Sequence, residues 1–219
     1  MKTRASIIAV ITALAAHSAA AQETSYTLYG TPGNIEMPSA RSAPDAEISA
    51  SLSFWRLQQK ASFSFQLTDR LSGTFRYGGI SERNGPGTDG TFDRSFDLHY
   101  RFLDETATRP ALAIGLTDFM GTGILSSEYI VATKAVTNQL DVTAGIGWGR
   151  LGTRDGIGDG TRDTGYTGEG GEVSFDKFFT GPAAFFGALE YRYSDKLSFK
   201  VVTNAEVFAC IFNTLSTDV

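Results

Sequence analysis

Thr91-Phe-Asp-Arg-Ser-Phe-Asp-Leu-His-Tyr-Arg-Phe102 alternates at almost every position between apolar or aromatic residues and polar ones. Successive side chains of a β-strand point to opposite faces, so this stretch predicts a strand with one aromatic face and one charged face. Phe92 and Phe96 fall on the first face, and Asp93 and Asp97 fall on the second. This division is typical of a strand between lipid and a wet lumen, although a soluble β-sandwich with one solvated face shows it too.

The same alternation recurs along the chain and predicts an all-β protein. Further strands are predicted at residues 48–54, 61–68, 71–77, 111–117, 128–136, 140–148, 185–193 and 197–203. Their lengths are close to the roughly 9 to 11 residues that a tilted strand needs to cross a bilayer, and short connections alternate with long ones, as in outer-membrane barrels. We therefore predict an antiparallel outer-membrane-type β-barrel of about nine strands, an odd number that indicates an incomplete barrel.

Two of these strands are apolar on both faces. Residues 111–116 and 129–132 carry no polar face that would orient them. Periodicity leaves two explanations open, namely packing against a plug or a neighbouring barrel, and a place in the core of a soluble protein.

The two ends of the chain carry separate signals. Lys2 and Arg4, the apolar residues 5–16 and the run Ala19–Ala21 predict a signal peptide over residues 1–21. Because Cys210 is the only cysteine, we predict export without a lipid anchor. Three further regions are predicted: an N-terminal extended segment (22–44), a partial transmembrane β-barrel (45–203) and an atypical tail (204–219) that results from truncation or frame disruption.

Composition narrows the possible partners. The formal net charge is −5, which makes nucleic acid an unfavourable partner. One cysteine excludes an internal disulfide, and one histidine outside the predicted signal peptide excludes the usual His/Cys zinc site. We therefore expect no metal and no cofactor.

The polar strand faces supply the candidate functional residues. The predicted lumen-facing polar residues are Arg76, Asp93, Asp97, His99, Arg101, Asp118, Glu128 and Lys134. Because such a face is solvated, replacing Asp97 with Asn is expected to be nearly neutral for folding. Asp118 and Glu128 could bind a sugar or a cation, or could form ion pairs with Lys134 or Arg101.

Ser95, Asp97 and His99 suggest the residues of a hydrolase. Same-face neighbours on a strand lie about 7 Å apart, whereas a nucleophile and its base must approach to about 3 Å. We therefore assign no catalytic residue and predict that the protein is not an enzyme. Aromatic residues near the strand ends are expected in the interfacial belts of a membrane barrel: Tyr77, Tyr100, Tyr129, Trp148, Tyr191 and Tyr193.

An ordered series of blocks resembles a known family. The blocks are Leu28–Arg41, Leu67–Leu71, Phe92–Arg101, Gly115–Gly123, Ser127–Lys134 and Gly145–Gly152. From about Tyr26 to about Lys200 the chain resembles the opening of the YjbH family of outer-membrane exopolysaccharide proteins, whose members are several times longer. The resemblance implies an outer-membrane β-barrel that takes part in exopolysaccharide or capsule production or export, with lipid, polysaccharide and export-machinery proteins as partners.

Two alternatives to this function remain. One is an outer-membrane hydrolase or polysaccharide-modifying enzyme that uses the face of Ser95, Asp97 and His99. The other is a soluble periplasmic β-protein that binds carbohydrate.

Overall fold

The computed structural model describes residues 24–55, 58–80, 91–123, 125–162, 173, 177–194, 196–203 and 211–213. The predicted signal peptide and most of the predicted tail lie outside these residues. The described part is all-β apart from one short 3₁₀ helix, Gly149–Gly152. None of its helices is long and apolar enough to cross a membrane.

Two short strands precede a series of longer ones. The strands are β1 (Gly33–Asn34), β2 (Met37–Pro38), β3 (Ile48–Trp55), β4 (Gln58–Gln66), β5 (Leu71–Ile80), β6 (Thr91–Leu103), β7 (Ala111–Thr117), β8 (Ser127–Ala135), β9 (Leu140–Trp148), β10 (Ala183–Ser194), β11 (Leu197–Thr203) and β12 (Ile211–Asn213).

Strands β3 to β12 form one antiparallel sheet in which each strand pairs with the next in sequence. This architecture confirms the predicted all-β, antiparallel fold, and all nine predicted strands are present. Strand β12 is an addition, because no strand was predicted in the tail. Within the described residues β3 and β12 are the two edges, so the sheet is open and compatible with an incomplete barrel.

Burial alternates along the strands as the sequence pattern predicts. On β6, Asp93, Ser95 and Asp97 are buried, whereas Phe92 is 63% exposed and Phe96 is 40% exposed. Aromatic residues on the outer face also pair between strands, with the rings of Phe75 and Phe96 5.0 Å apart. Such cross-strand pairs stabilise a sheet by up to about 1 kcal/mol each.

The polar face is covered by the N-terminal segment, residues 24–46. This segment is folded into turns and the β1–β2 hairpin, whereas the sequence predicted an extended segment. Its Leu28 carbonyl accepts a hydrogen bond from Ser53 of β3 at 2.8 Å. Its Ser25 hydroxyl bonds to Glu190 of β10 at 3.0 Å and to Lys200 of β11 at 2.6 Å. The segment therefore contacts strands near both ends of the sheet.

These contacts require the sheet to curl. In a flat sheet β3 and β10 would lie about 34 Å apart, at about 4.8 Å for each strand spacing. Ser25 and Leu28 are separated by at most about 11 Å of extended chain. The sheet must therefore wrap around the N-terminal segment, and the segment lies on the concave, inner face.

An apolar core joins the segment to one half of the inner face. Ile35 and Met37 of the segment form a buried cluster with Tyr129, Val131 and Phe186 of β8 and β10. Burial of a side chain the size of methionine stabilises the fold by about 1.5 to 3 kcal/mol. The inner side of β7 and β8 is apolar because it packs against the N-terminal segment here. This packing fits both of the explanations that the sequence leaves open.

Gly115 of β7 makes room for the largest member of this cluster. A Cβ atom at Gly115 would lie 2.2 Å from the Tyr129 ring carbon Cζ, a distance that no side chain allows. The absence of a side chain on β7 therefore lets Tyr129 reach the inner face.

Candidate functional site

The structure places Arg76, Asp93, Asp97, His99 and Arg101 on the inner face, beneath the N-terminal segment, with Asp118 beside them at the end of β7. Glu128 and Lys134 were also predicted to face the lumen, and this was wrong: they alternate along β8 with Tyr129, Val131 and Thr133, which pack inward, and so lie on the outer face with Ile130. The eight predicted residues also differ in burial. Six of them are buried: Arg76, Asp93, Asp97, His99, Asp118 and Glu128. Arg101 and Lys134 are partly buried. They do not form one site, because they divide into separate groups along the sheet.

The Arg76–Asp97 pair is at the centre of the first group. Arg76 Nη1 donates to Asp97 Oδ2 at 2.8 Å, and Nη2 donates to Asp97 Oδ1 at 3.2 Å. Nη1 also donates to the Tyr29 carbonyl at 3.0 Å, which attaches the N-terminal segment to β5. Both charged side chains are 1% exposed. A buried pair of this geometry offsets the cost of desolvation only while both partners remain.

Asp118 lies next to this pair, at the end of β7. Its amide donates to Asp97 Oδ1 at 2.8 Å, and its Oδ2 accepts the Leu125 amide at 3.1 Å. Burial, and then the neighbouring Asp93 carboxylate, raise the pKa of Asp118 to about 7. Asp118 therefore holds the following turn through hydrogen bonds. The alternative that Asp118 forms an ion pair with Lys134 or Arg101 was wrong.

His99 has structural partners at both ring nitrogens. Its Nδ1 lies 3.0 Å from the Tyr129 hydroxyl, and its Nε2 lies 3.1 Å from the Arg41 carbonyl. A carbonyl only accepts, so in the neutral ring Nε2 carries the proton and Nδ1 accepts from Tyr129. The Ser95 hydroxyl is buried and makes no hydrogen bond, so the structure does not bring Ser95, Asp97 and His99 into a hydrogen-bonded triad.

The position of Tyr129 corrects one prediction. Tyr129 was expected in an interfacial aromatic belt, but it is 1% exposed and faces inward. The prediction was wrong because β8 is apolar on both faces and its alternation could not orient the ring. Tyr77, Tyr100, Tyr191 and Tyr193 are instead 40 to 65% exposed on the outer face.

A second group of charges connects the N-terminal segment to the turns at one end of the sheet. Arg41 pairs with Glu105 at 2.5 Å and with Asp141 at 3.0 Å. Glu105 also pairs with Lys134 at 2.7 Å, and Asp141 pairs with Arg192 at 3.3 Å. Burial alone raises the pKa of Glu105, but the hydrogen bonds from Lys134 and Arg41 outweigh it and lower the pKa below its usual value. The sequence pattern singled out only Lys134 of these residues, because the others lie far apart in the chain.

Glu128 belongs to a third group with a loop residue. Arg162 donates to both of its carboxylate oxygens, at 2.6 and 2.8 Å, and the Phe179 amide donates to Oε2 at 3.0 Å. The alternative in which Glu128 forms an ion pair with Lys134 or Arg101 was therefore wrong. Nothing local in the sequence connects Glu128 with a residue 34 positions away.

Tyr29 of the N-terminal segment lies among three cations. The Lys60 ammonium lies 4.1 Å from the centre of the Tyr29 ring, and the guanidinium carbons of Arg150 and Arg76 lie 4.0 and 5.2 Å from it. Cations over an aromatic face are attracted by its π electrons, by about 2 kcal/mol or more when desolvated. These contacts strengthen the attachment of the segment to the inner face.

The described residues contain no group of three or more His, Cys, Asp or Glu side chains that could hold a metal ion. The polar side chains of the inner face can bind and orient polar groups, but the charged ones mainly bind the N-terminal segment to the sheet.

Comparison with known proteins agrees with the resemblance. The family model YjbH, described as "Exopolysaccharide biosynthesis protein YbjH", matches residues 25–208 and so extends beyond Lys200. The chain is 33% identical over 179 residues to the "Uncharacterized lipoprotein YjbH" of Escherichia coli (strain K12). This match covers 75% of the chain and 25% of the relative, so the chain spans about a quarter of that relative's length. No solved structure matches.

Proposed function

This chain belongs to the YjbH family, described as exopolysaccharide biosynthesis proteins, and from this membership we propose that it is part of an outer-membrane β-barrel that takes part in exopolysaccharide or capsule production or export. In this proposal the protein catalyses no reaction. Its partners are outer-membrane lipid on the outer face, the polysaccharide, and other proteins of the export machinery.

The observation that carries the membrane assignment is the inverted burial of the sheet. Large apolar side chains remain exposed on the outer face, with Ile48 at 76%, Phe54 at 70% and Phe185 at 66%. The inner face buries charged and hydroxyl side chains instead. Contiguous apolar surface is unfavourable in water at about 25 cal/mol for each Å², whereas a lipid environment removes that cost. An apolar outside around a polar inside is the arrangement of a transmembrane barrel.

The surroundings of His99 support the absence of catalysis. A general base needs a ring nitrogen that can reach a proton on a nucleophile or substrate. Here Tyr129 and the Arg41 carbonyl occupy the two nitrogens, and both partners are parts of the packed interior. This arrangement favours a role for His99 in docking the N-terminal segment over the hydrolase alternative.

Membrane fractionation tests the location. We expect the protein in the outer-membrane fraction, resistant to alkaline extraction, with a gel mobility that differs between unheated and boiled samples. Recovery as a soluble periplasmic species would contradict the barrel and favour the soluble carbohydrate-binding alternative.

Polymer export tests the role. Deletion of the gene should lower surface or secreted exopolysaccharide while cytoplasmic sugar-nucleotide synthesis stays unchanged. Replacing Asp93 or His99 individually, at matched protein level in the membrane, should change export only slightly, because both side chains are buried in the packed inner face and do not contact a polymer. Abolition of export by His99→Ala and Ser95→Ala alone would favour the hydrolase, since loss of a base or nucleophile abolishes turnover.

A further inference from the structure

A polar pocket lies between the N-terminal segment and the sheet. Its volume is about 260 Å³, slightly below the roughly 300 to 1,000 Å³ of pockets for drug-sized ligands. Asn34, Arg41 and Ser42 line it from the segment, and Arg101, Asp141 and Glu190 line it from β6, β9 and β10. The pocket is therefore the size of a small ligand and is formed only when the segment is docked.

The charges around the pocket are already paired. Arg41 binds Asp141 at 3.0 Å, and Glu190 lies 3.6 Å from Lys200. A charged ligand would have to compete with these ion pairs. A neutral ligand would leave them intact, so the electrostatics of the lining favour an uncharged molecule.

The lining residues also include polar atoms without hydrogen bonds. Asn34 Oδ1 and Ser42 Oγ are buried and make none. A buried polar atom left without a partner costs about 1 to 3 kcal/mol. One is an acceptor and the other is a hydroxyl that can donate or accept, so a ligand that complements both must present a hydrogen-bond donor and can present an acceptor as well.

We propose that this pocket binds a neutral sugar residue. Sugar hydroxyls each donate and accept hydrogen bonds, and a neutral sugar leaves the surrounding ion pairs intact. The identification of this sugar as a unit of the polymer that the protein handles rests on the proposed function. The strand residues of the lining lie near the short connections, which for an outer-membrane barrel is the periplasmic end, where a polymer would enter.

Binding is tested with the full chain in detergent micelles, by titration with a neutral disaccharide, cellobiose, and with an acidic one, digalacturonate, followed by saturation-transfer NMR. We expect saturable binding of cellobiose and weaker binding of digalacturonate. Ser42→Ala should weaken cellobiose binding about three- to tenfold, the effect of one hydrogen bond. Ser62→Ala is the matched control, because the Ser62 hydroxyl is also buried without a partner but does not line the pocket, and it should change nothing.

A second measurement does not depend on the stability of Ser42→Ala. Thr24 lines the pocket and is partly buried, so a Thr24→Cys variant in a Cys210→Ser background can be alkylated with a maleimide. Cellobiose should slow this alkylation.

Three results would overturn the proposal that the pocket binds a neutral sugar. They are absence of both cellobiose binding and protection of Thr24→Cys, an equal loss of cellobiose affinity in Ser42→Ala and Ser62→Ala, and a preference for digalacturonate. If the protein is in the outer membrane and supports export but does not bind the sugar, only the pocket proposal is overturned. Sugar binding by a protein found outside the outer membrane overturns only the proposed function.

Discussion

Replacing Asp97 with Asn tests whether the inner face is packed or open to water. A solvated lumen wall predicts a nearly neutral change. In the structure Asp97 is 2% exposed and accepts three hydrogen bonds, two from Arg76 and one from the Asp118 amide. The prediction from the sequence is therefore corrected, and we expect Asp97→Asn to be strongly destabilising.

The magnitude follows from the charge that the substitution leaves behind. Removing one partner of a buried ion pair costs about 3 to 5 kcal/mol, because the other charge stays desolvated. The amide oxygen of Asn can still accept one of the hydrogen bonds, and the Asp93 and Asp118 carboxylates remain near Arg76. We therefore expect a loss of about 3 kcal/mol in the free energy of unfolding, at the lower end of that range.

The assay is guanidinium unfolding in detergent micelles, followed by tryptophan fluorescence. Asp104→Asn is the matched control, since the Asp104 side chain is 45% exposed and pairs with Arg70 and Arg101. It should cost at most about 1 kcal/mol. Equal, small losses in both variants would refute the packed inner face and the docking of the N-terminal segment by Arg76.

Three further predictions concern the outer face, the sidedness and the pH dependence. Phe96→Arg should lower the free energy of unfolding in lipid vesicles by about 2 to 4 kcal/mol, and a value near zero would contradict a lipid-facing side chain. In a cysteine-free background, Gly158→Cys should react with a membrane-impermeant maleimide on intact cells, whereas Asp69→Cys and Asn138→Cys should not; the reverse pattern would invert the predicted sidedness. The raised pKa of Asp118, about 7 against an ordinary 3.8, means that its contribution to stability is complete below pH 3.8 and is lost as the pH rises to about 7. Asp118→Asn should therefore flatten the dependence of unfolding on pH in this range, and an unchanged dependence would show that another group titrates.

The strands and their faces could be predicted because their signal is local. Phe92, Asp93, Phe96 and Asp97 alternate with a period of two residues, and the pleat of a strand converts that period directly into two faces. The same rule failed for Tyr129, where both faces are apolar and the alternation carries no direction. It also missed β12, whose three residues are too few for a period to be recognised.

The docking of the N-terminal segment could not be predicted in this way. Arg41 bonds to Asp141 across 100 residues, and Ala40 bonds to Thr133 across 93 residues. No spacing rule connects positions so far apart. The predicted solvated lumen wall was therefore replaced by an inner face that is largely covered by the segment.

The sequence by itself determined the all-β architecture, the order of the long strands and the side of the sheet on which each charged residue of β6 lies. Only the tertiary structure decided which charges meet: Asp97 with Arg76, Glu128 with Arg162, and Asp141 with Arg41. The physical reason is that the facing of a side chain depends on its neighbours along one strand, whereas its partner depends on how the sheet curls around the segment. That curvature brings both ends of the sheet into contact with Ser25 and Leu28 of the N-terminal segment. The polar pocket forms between this segment and the curled sheet.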